Sequence, residues 1–184
     1  MTTLPLDALI ISDEAQTAAA ITAMAEEIER QADLATLAVV GIHTGGVLLA
    51  HRLLASWAAR GKRPAATGTV DITLYRDDLE QIGPAPVIHA TDITFDVAGL
   101  TVLLVDDVLF TGRTVRAAID NLMDLGRPRR VMLAVLIDRG GRELPIRADV
   151  VGFSTSVRED EIVEVVFGET GDRVVRYRRP PRRL

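Results

Sequence analysis

The chain has 184 residues, about one domain, and 48% of them are hydrophobic, so a sizeable core is available. Its 21 basic and 26 acidic residues give a formal charge of −5, which argues against a general nucleic-acid binder and leaves any such contact to a local basic face. The absence of cysteine excludes a disulfide framework and thiolate metal sites, and no apolar run has the length of a membrane span or follows a basic leader, so a cytoplasmic protein without membrane association is expected.

Asp13 can cap a helix running to about Gln31, with Ala18, Ile21, Ala25 and Ile28 on one apolar stripe. Leu37 to Gly41 reads as the first central strand. It opens into Gly41-Ile42-His43-Thr44-Gly45-Gly46, and a helix follows to about Arg60. Glycines stand here where a backbone must approach an anion. His43 has no second metal ligand at a recognisable spacing and reads as a loop hydrogen-bonder; His51 and His89 read as surface residues.

Thr69 to Tyr75 has strand character, with Val70, Ile72 and Leu74 alternating. Arg76-Asp77-Asp78 opens a polar stretch, and Gly83, Pro84 and Pro86 break regular structure before the chain returns near Val87 to Ile93. Residues 69–95 therefore read as a small flexible hood that could keep a reactive site dry. From the residues alone, Arg76 is equally a cation over a phosphate and a salt-bridge partner of Asp77, Asp78 or Glu80.

The most informative stretch follows. Val102-Leu103-Leu104-Val105 is the pattern of a strand buried on both faces, and it ends in Asp106-Asp107. After Val108-Leu109-Phe110 comes the loop Thr111-Gly112-Arg113-Thr114. Then Val115, Ala118, Ile119, Leu122 and Met123 recur at helical spacing. Free backbone N–H groups and the dipole at such a helix start favour an anion. Gly112 permits close approach, and the threonine hydroxyls add donors. Ionised carboxylates at a strand's C-terminal end accept hydrogen bonds from sugar hydroxyls. The combined ligand is a sugar phosphate, with ribose on the acids and phosphate in the loop.

Arg127-Pro128 ends the helix, Val131 to Ile137 forms another buried strand closed by Asp138-Arg139-Gly140, and Asp149 to Phe153 one more. Ile162–Phe167 and Arg173–Tyr177 read as a hairpin, and residues 178–184 as a disordered basic tail. The expected fold is α/β: a single domain over residues 1–177, with a mainly parallel central sheet flanked by helices and the small hood. No Gly-x-Gly-x-x-Gly or Gly-Lys-Ser/Thr motif points to a dinucleotide or NTPase fold.

The stretch from Val102 through Thr114 resembles the phosphoribosyl-pyrophosphate (PRPP) motif of type I phosphoribosyltransferases. The longer form Asp106 to Ala117 is similar to one branch, the PyrR family of bifunctional pyrimidine operon regulators and uracil phosphoribosyltransferases. Asp71 to Asp78 is similar to that branch's hood segment. Asp138-Arg139-Gly140 and Arg142 to Asp149 are similar to its late strand-loop signature. The resemblance spans roughly Asp13 to Val166.

It implies uracil and PRPP as substrates, UMP and pyrophosphate as products, and Mg²⁺ arriving with PRPP. Asp106 and Asp107 would hold the ribose and stabilise positive charge at C1. The segment Val108-Leu109-Phe110-Thr111-Gly112-Arg113-Thr114 would hold the 5′-phosphate, Thr44, Gly45 and Gly46 the pyrophosphate, and Arg76 would add a catalytic cation. It also implies a homodimer or larger homo-oligomer that senses UMP or UTP and binds pyrimidine leader mRNA, with Arg127, Arg129, Arg130, Arg142 and Arg147 as candidate contacts. The alternatives are a regulator with weak or no catalysis, or a phosphoribosyltransferase for another base. Three departures bear on this. Gly45 stands where the family usually has arginine, so Gly45→Arg is expected to add a charged contact. Gly141 stands where it often has histidine, and Phe153 where it commonly has lysine.

Overall fold

A computed structural model describes residues 8–72, 91–158 and 160–178. Its main body is a parallel five-stranded sheet built from β2 (Leu37–Ile42), β3 (Ala66–Val70), β4 (Thr101–Leu109), β5 (Arg130–Asp138) and β6 (Val150–Ser154), in the order β3-β2-β4-β5-β6. The central strands are buried on both faces, and successive side chains point to opposite sides. Leu37, Val39, Leu103 and Val105 therefore enter one core. Ala38, Val40, Val102 and Leu104 enter the other.

The helices divide accordingly. On the first face, α1 (Glu14–Gln31) contributes Ile21, Met24, Ala25 and Ile28, and α2 (Gly45–Ala58) contributes Leu49, Leu53 and Trp57. Trp57 is fully buried, and its indole N–H donates to Ala25 O at 3.2 Å, which satisfies its one polar group and ties α2 to α1. On the second face, α3 (Arg113–Leu125) presents Val115, Ala118 and Leu122. The cap expected at Asp13 is a full capping box: Asp13 Oδ1 accepts from the Gln16 N–H at 2.8 Å, and Gln16 Oε1 accepts from the Asp13 N–H at 3.1 Å.

A second, antiparallel sheet joins the two ends of the described chain in the order β1-β8-β7, from β1 (Leu9–Ser12), β7 (Glu161–Val166) and β8 (Arg173–Arg178). The hairpin was legible in the sequence, while β1, a four-residue strand with Leu9 and Ile10 exposed, was not. Val163, Val165 and Val174 face the first core. Arg52 of α2 fixes the β7-β8 turn: Nε and Nη2 grip both carboxylate oxygens of Asp172, at 2.7 and 2.9 Å, and Nη2 also reaches Gly168 O.

Several boundaries differ from expectation. β4 continues through the acid pair to Leu109, because β5 pairs with it beyond Val105, matching Val108 to Ile137 and Leu109 to Asp138. α3 stops at Leu125, where Gly126 takes φ 153° before Pro128. Arg178 closes β8 and does not belong to a tail. Most of the expected hood, including Arg76 and His89, lies outside the described residues. Among the described residues, no helix is long and apolar enough to cross a membrane.

Candidate active site at the end of the central strand

Two loops meet at the C-terminal end of the parallel sheet. The first leaves β2 and enters α2 through a cis peptide between His43 and Thr44. Partly buried His43 is anchored through its backbone, the N–H donating to Val70 O at 3.0 Å. Thr44 occupies the N-cap of α2 but makes no side-chain cap hydrogen bond. The first backbone donors of α2 thus have no capping side chain, the arrangement that receives an anion.

Glycine is required at this helix start by contact. A Cβ at Gly46 would lie 2.1 Å from Val105 O, and one at Gly41 2.7 Å from Val47 Cα. The loop and the beginning of α2 therefore rest directly on the main chain of β4. A Cβ at Gly45 would lie 2.2 Å from both Cγ and Oδ2 of Asp107. That distance bears on Gly45→Arg: the added side chain would meet the Asp107 carboxylate first and displace it.

The acid pair lies on the neighbouring strand. Asp106 is buried, with 6% of its surface exposed, and Asp107 is partly buried. The Asp107 N–H donates to Asp106 Oδ1 at 3.0 Å. Burial pushes the Asp107 carboxyl above its ordinary range. Hydrogen bonding to the Asp106 side chain and to the N–H groups of Val108 and Asp107 opposes that shift, and the charge of Glu164 adds to it. Glu164, on β7, is held by the Tyr177 hydroxyl at 2.7 Å. Sequence reasoning missed both residues, because nothing local distinguishes a glutamate that alternates with valines in a strand from a solvated one.

The second loop leads from β4 into α3. Gly112 caps the helix in the left-handed region, at φ 92°, which an L side chain rarely adopts. Thr111 Oγ1 accepts from the Arg113 N–H at 3.3 Å, and no side chain caps α3. The Arg113 guanidinium turns outward to Glu143 at 2.7 Å, so this loop offers an anion its backbone and the hydroxyls of Thr111 and Thr114. Thr111 O accepts from the N–H groups of Glu143 and Leu144, pinning the loop to the segment after β5.

Arg142, expected among the nucleic-acid contacts, is turned inward instead. Its Nη1 donates to Phe110 O at 2.7 Å and Gly140 O at 3.2 Å, its Nε to Ile146 O at 3.0 Å, and its Nη2 pairs with Asp138. Arg139 lies over the Phe110 ring at 4.0 Å, and Gly141 sits at φ 72° with the same ring 2.5 Å from where its Cβ would be. A histidine at 141 would meet both obstacles. Phe153 pairs in register with Ile137 and packs on the first core.

The other arginines lie elsewhere. Arg127, Arg129 and Arg130 are exposed where β5 begins, with Arg130 paired to Thr101 in register. Asp106 stands five residues further along β4, about 16 Å at the rise of a strand. Arg147 is exposed in the crossover before β6. Among the described residues, no three His, Asp or Glu side chains gather as a metal cage.

The phosphoribosyl transferase domain family matches residues 8–169. A protein from Roseiflexus sp. (strain RS-1), bifunctional protein PyrR, is 55% identical over 163 residues, covering 85% of this chain and 89% of its own. The bifunctional protein PyrR of Deinococcus radiodurans is 48% identical over 169 residues, covering 91% of both chains. Among solved structures, a hypoxanthine phosphoribosyltransferase from Staphylococcus aureus superposes with a TM-score of 0.66 at 19% identity, covering 84% of this chain and 80% of that one, a likeness of fold. The crossing of two uncapped helix starts at one acid pair thus has a family: the chain belongs to the phosphoribosyltransferases and, among them, to the bifunctional PyrR proteins.

Proposed function

We propose that the acid pair and the two loops carry out the uracil phosphoribosyltransferase reaction of this family, in which uracil and PRPP yield UMP and pyrophosphate. Uracil N1 forms a bond to C1 of the ribose while the C1–O bond to pyrophosphate breaks, and the N1 proton is lost. The supporting observation is that Gly45 comes up against the carboxylate of Asp107 while Gly46 rests on the main chain of Val105 and Asp106. That spacing suits one ligand carrying pyrophosphate on the carbon next to its ribose hydroxyls.

Asp106 and Asp107 accept hydrogen bonds from the ribose hydroxyls, and their negative charge favours the positive charge that develops at C1. Val108 to Thr114 wraps the 5′-phosphate at the α3 start, and Thr44, Gly45 and Gly46 receive the pyrophosphate at the α2 start. Arg76 supplies the further cation in this reading. A Mg²⁺ ion carried by PRPP would supply positive charge against the leaving pyrophosphate, and the Asp106 and Asp107 carboxylates are hard oxygen donors that would suit it. The described residues supply no clear base for N1, so the rate rests on positioning and electrostatics.

The regulatory half is read onto the opposite end of the sheet. Arg127, Arg129 and Arg130, exposed where β5 begins, would form a basic face for pyrimidine leader mRNA away from the pocket that takes UMP or UTP, with Arg147 of the crossover before β6 as a further contact. The setting is a cytoplasmic homodimer or larger homo-oligomer, for which exposed Leu9 and Ile10 on edge strand β1 offer apolar surface. A PRPP-dependent assay across uracil, orotate, hypoxanthine and guanine tests the enzyme. Turnover with uracil is expected, and turnover with a purine alone would overturn the assignment.

A further inference from the structure

The contact between Gly45 and Asp107 carries more than a steric note. Both oxygens of the carboxylate lie where a side chain at 45 would begin, at 2.2 and 2.6 Å from the site of its Cβ. The neighbouring glycines are as tightly set, since a Cβ at Gly46 would meet Val105 O and one at Gly41 would meet Val47 Cα. Asp107 is tied to its own strand by its backbone N–H, which donates to Asp106 Oδ1 at 3.0 Å, and Glu164 of β7, held in turn by Tyr177, adds a like charge from the terminal sheet. His43 lies two residues before Gly45 on the same loop.

We propose that Gly45 is a positioning residue that acts through Asp107. The bare backbone at 45 is the slot that holds the carboxylate, so the pyrophosphate loop and the ribose-binding acid form one mechanically coupled unit. This rests on the reading of the two loops as the two ends of the PRPP site. A side chain at 45 meets the acid at its first carbon, before it reaches any phosphate. This chain keeps the acid preset against the loop. Preset geometry favours binding and positioning over intrinsic reactivity.

A double-mutant cycle decides the matter: Gly45→Ala, Asp107→Ala and the double variant, each read by melting temperature and by PRPP-dependent turnover. Gly45→Ala alone should lower kcat/KM about tenfold, with KM for PRPP rising more than kcat falls, and should lower Tm. In the Asp107→Ala background the added methyl has room, so it should cost nothing further in either readout. Gly46→Ala is the contrast. Its methyl meets main chain, so its Tm penalty should persist in both backgrounds. An equal penalty for Gly45→Ala with and without Asp107, or no penalty at all, would overturn the coupling. If the unaltered protein neither binds nor uses PRPP, the proposed function fails, and the Tm cycle still decides whether the two residues are coupled.

Discussion

Arg142 donates from Nη1 to the carbonyl oxygen of Phe110 at 2.7 Å, and the same guanidinium pairs with Asp138 at the end of the adjacent strand. One side chain thereby fixes the last turn of chain before the α3 loop. Its job is internal, and two consequences follow that separate it from the other arginines.

Arg142→Gln should loosen the phosphate loop. Charge-assisted hydrogen bonds contribute about 1.5–3 kcal/mol, so a lower Tm and a roughly tenfold higher KM for PRPP are expected. The slope of log K against log salt for leader RNA should stay unchanged. By contrast, alanine at Arg127, Arg129, Arg130 or Arg147 should each flatten that slope by about 0.7–0.9 units and leave KM for PRPP alone. Salt titrations of RNA binding beside steady-state kinetics would separate the two sets. A flattened RNA slope for Arg142→Gln would return it to the nucleic-acid face.

Asp106→Asn with Asp107→Asn should keep the fold and lose function. Each charge-assisted bond to a ribose hydroxyl contributes about 1.5–3 kcal/mol, and the pair together about two to four decades in kcat/KM. Kinetics alongside circular dichroism would check this. A folded double variant with nearly unchanged kcat/KM would refute the role.

The pH dependence has a direction. Burial raises the Asp107 carboxyl above its usual 3.8, and ribose binding needs its charged form. The acid limb of kcat/KM, which reports the free enzyme, should therefore lie above the ordinary aspartate range. A profile measured from acid to neutral pH gives that limb directly, and a limb near 3.8 would contradict the buried setting.

Tyr177 makes an alkaline prediction. Desolvation, then the hydrogen bond and charge of Glu164, push its hydroxyl up from 10.0 to about 12. The folded protein thus keeps a proton that the unfolded chain releases. This contribution is fully present below pH 10 and is lost as pH rises toward 12. Denaturant melts across that window should show falling stability, and Tyr177→Phe should flatten the fall.

Asp172→Asn should weaken the clasp between α2 and the β7-β8 turn. Arg52 then keeps one neutral acceptor in place of a two-point carboxylate contact. A loss of about 1–3 kcal/mol is expected, read from urea unfolding at unchanged m-value.

The local patterns of this chain determined a good deal. Apolar β-branched runs that end in glycine or acid, followed by helical spacing, specify strand-loop-helix units, because periodicity is a property of neighbouring residues. The acid pair at 106 and 107 and the Thr111–Thr114 loop were legible for that reason, as were the cap at Asp13 and the break near Pro128. What the sequence could not supply is where distant segments touch. Gly45 and Asp107 lie 62 positions apart in the chain, and only the parallel pairing of β2 with β4 brings the start of α2 onto the carboxylate. Arg142 looked like one more surface arginine until the turn after β5 folded it over Phe110. Glu164, held by Tyr177, came within reach of the Asp107 charge only when the terminal strands formed their own sheet. Burial, charge coupling and the space left by an absent Cβ depend on separations in three dimensions, and those were set by packing.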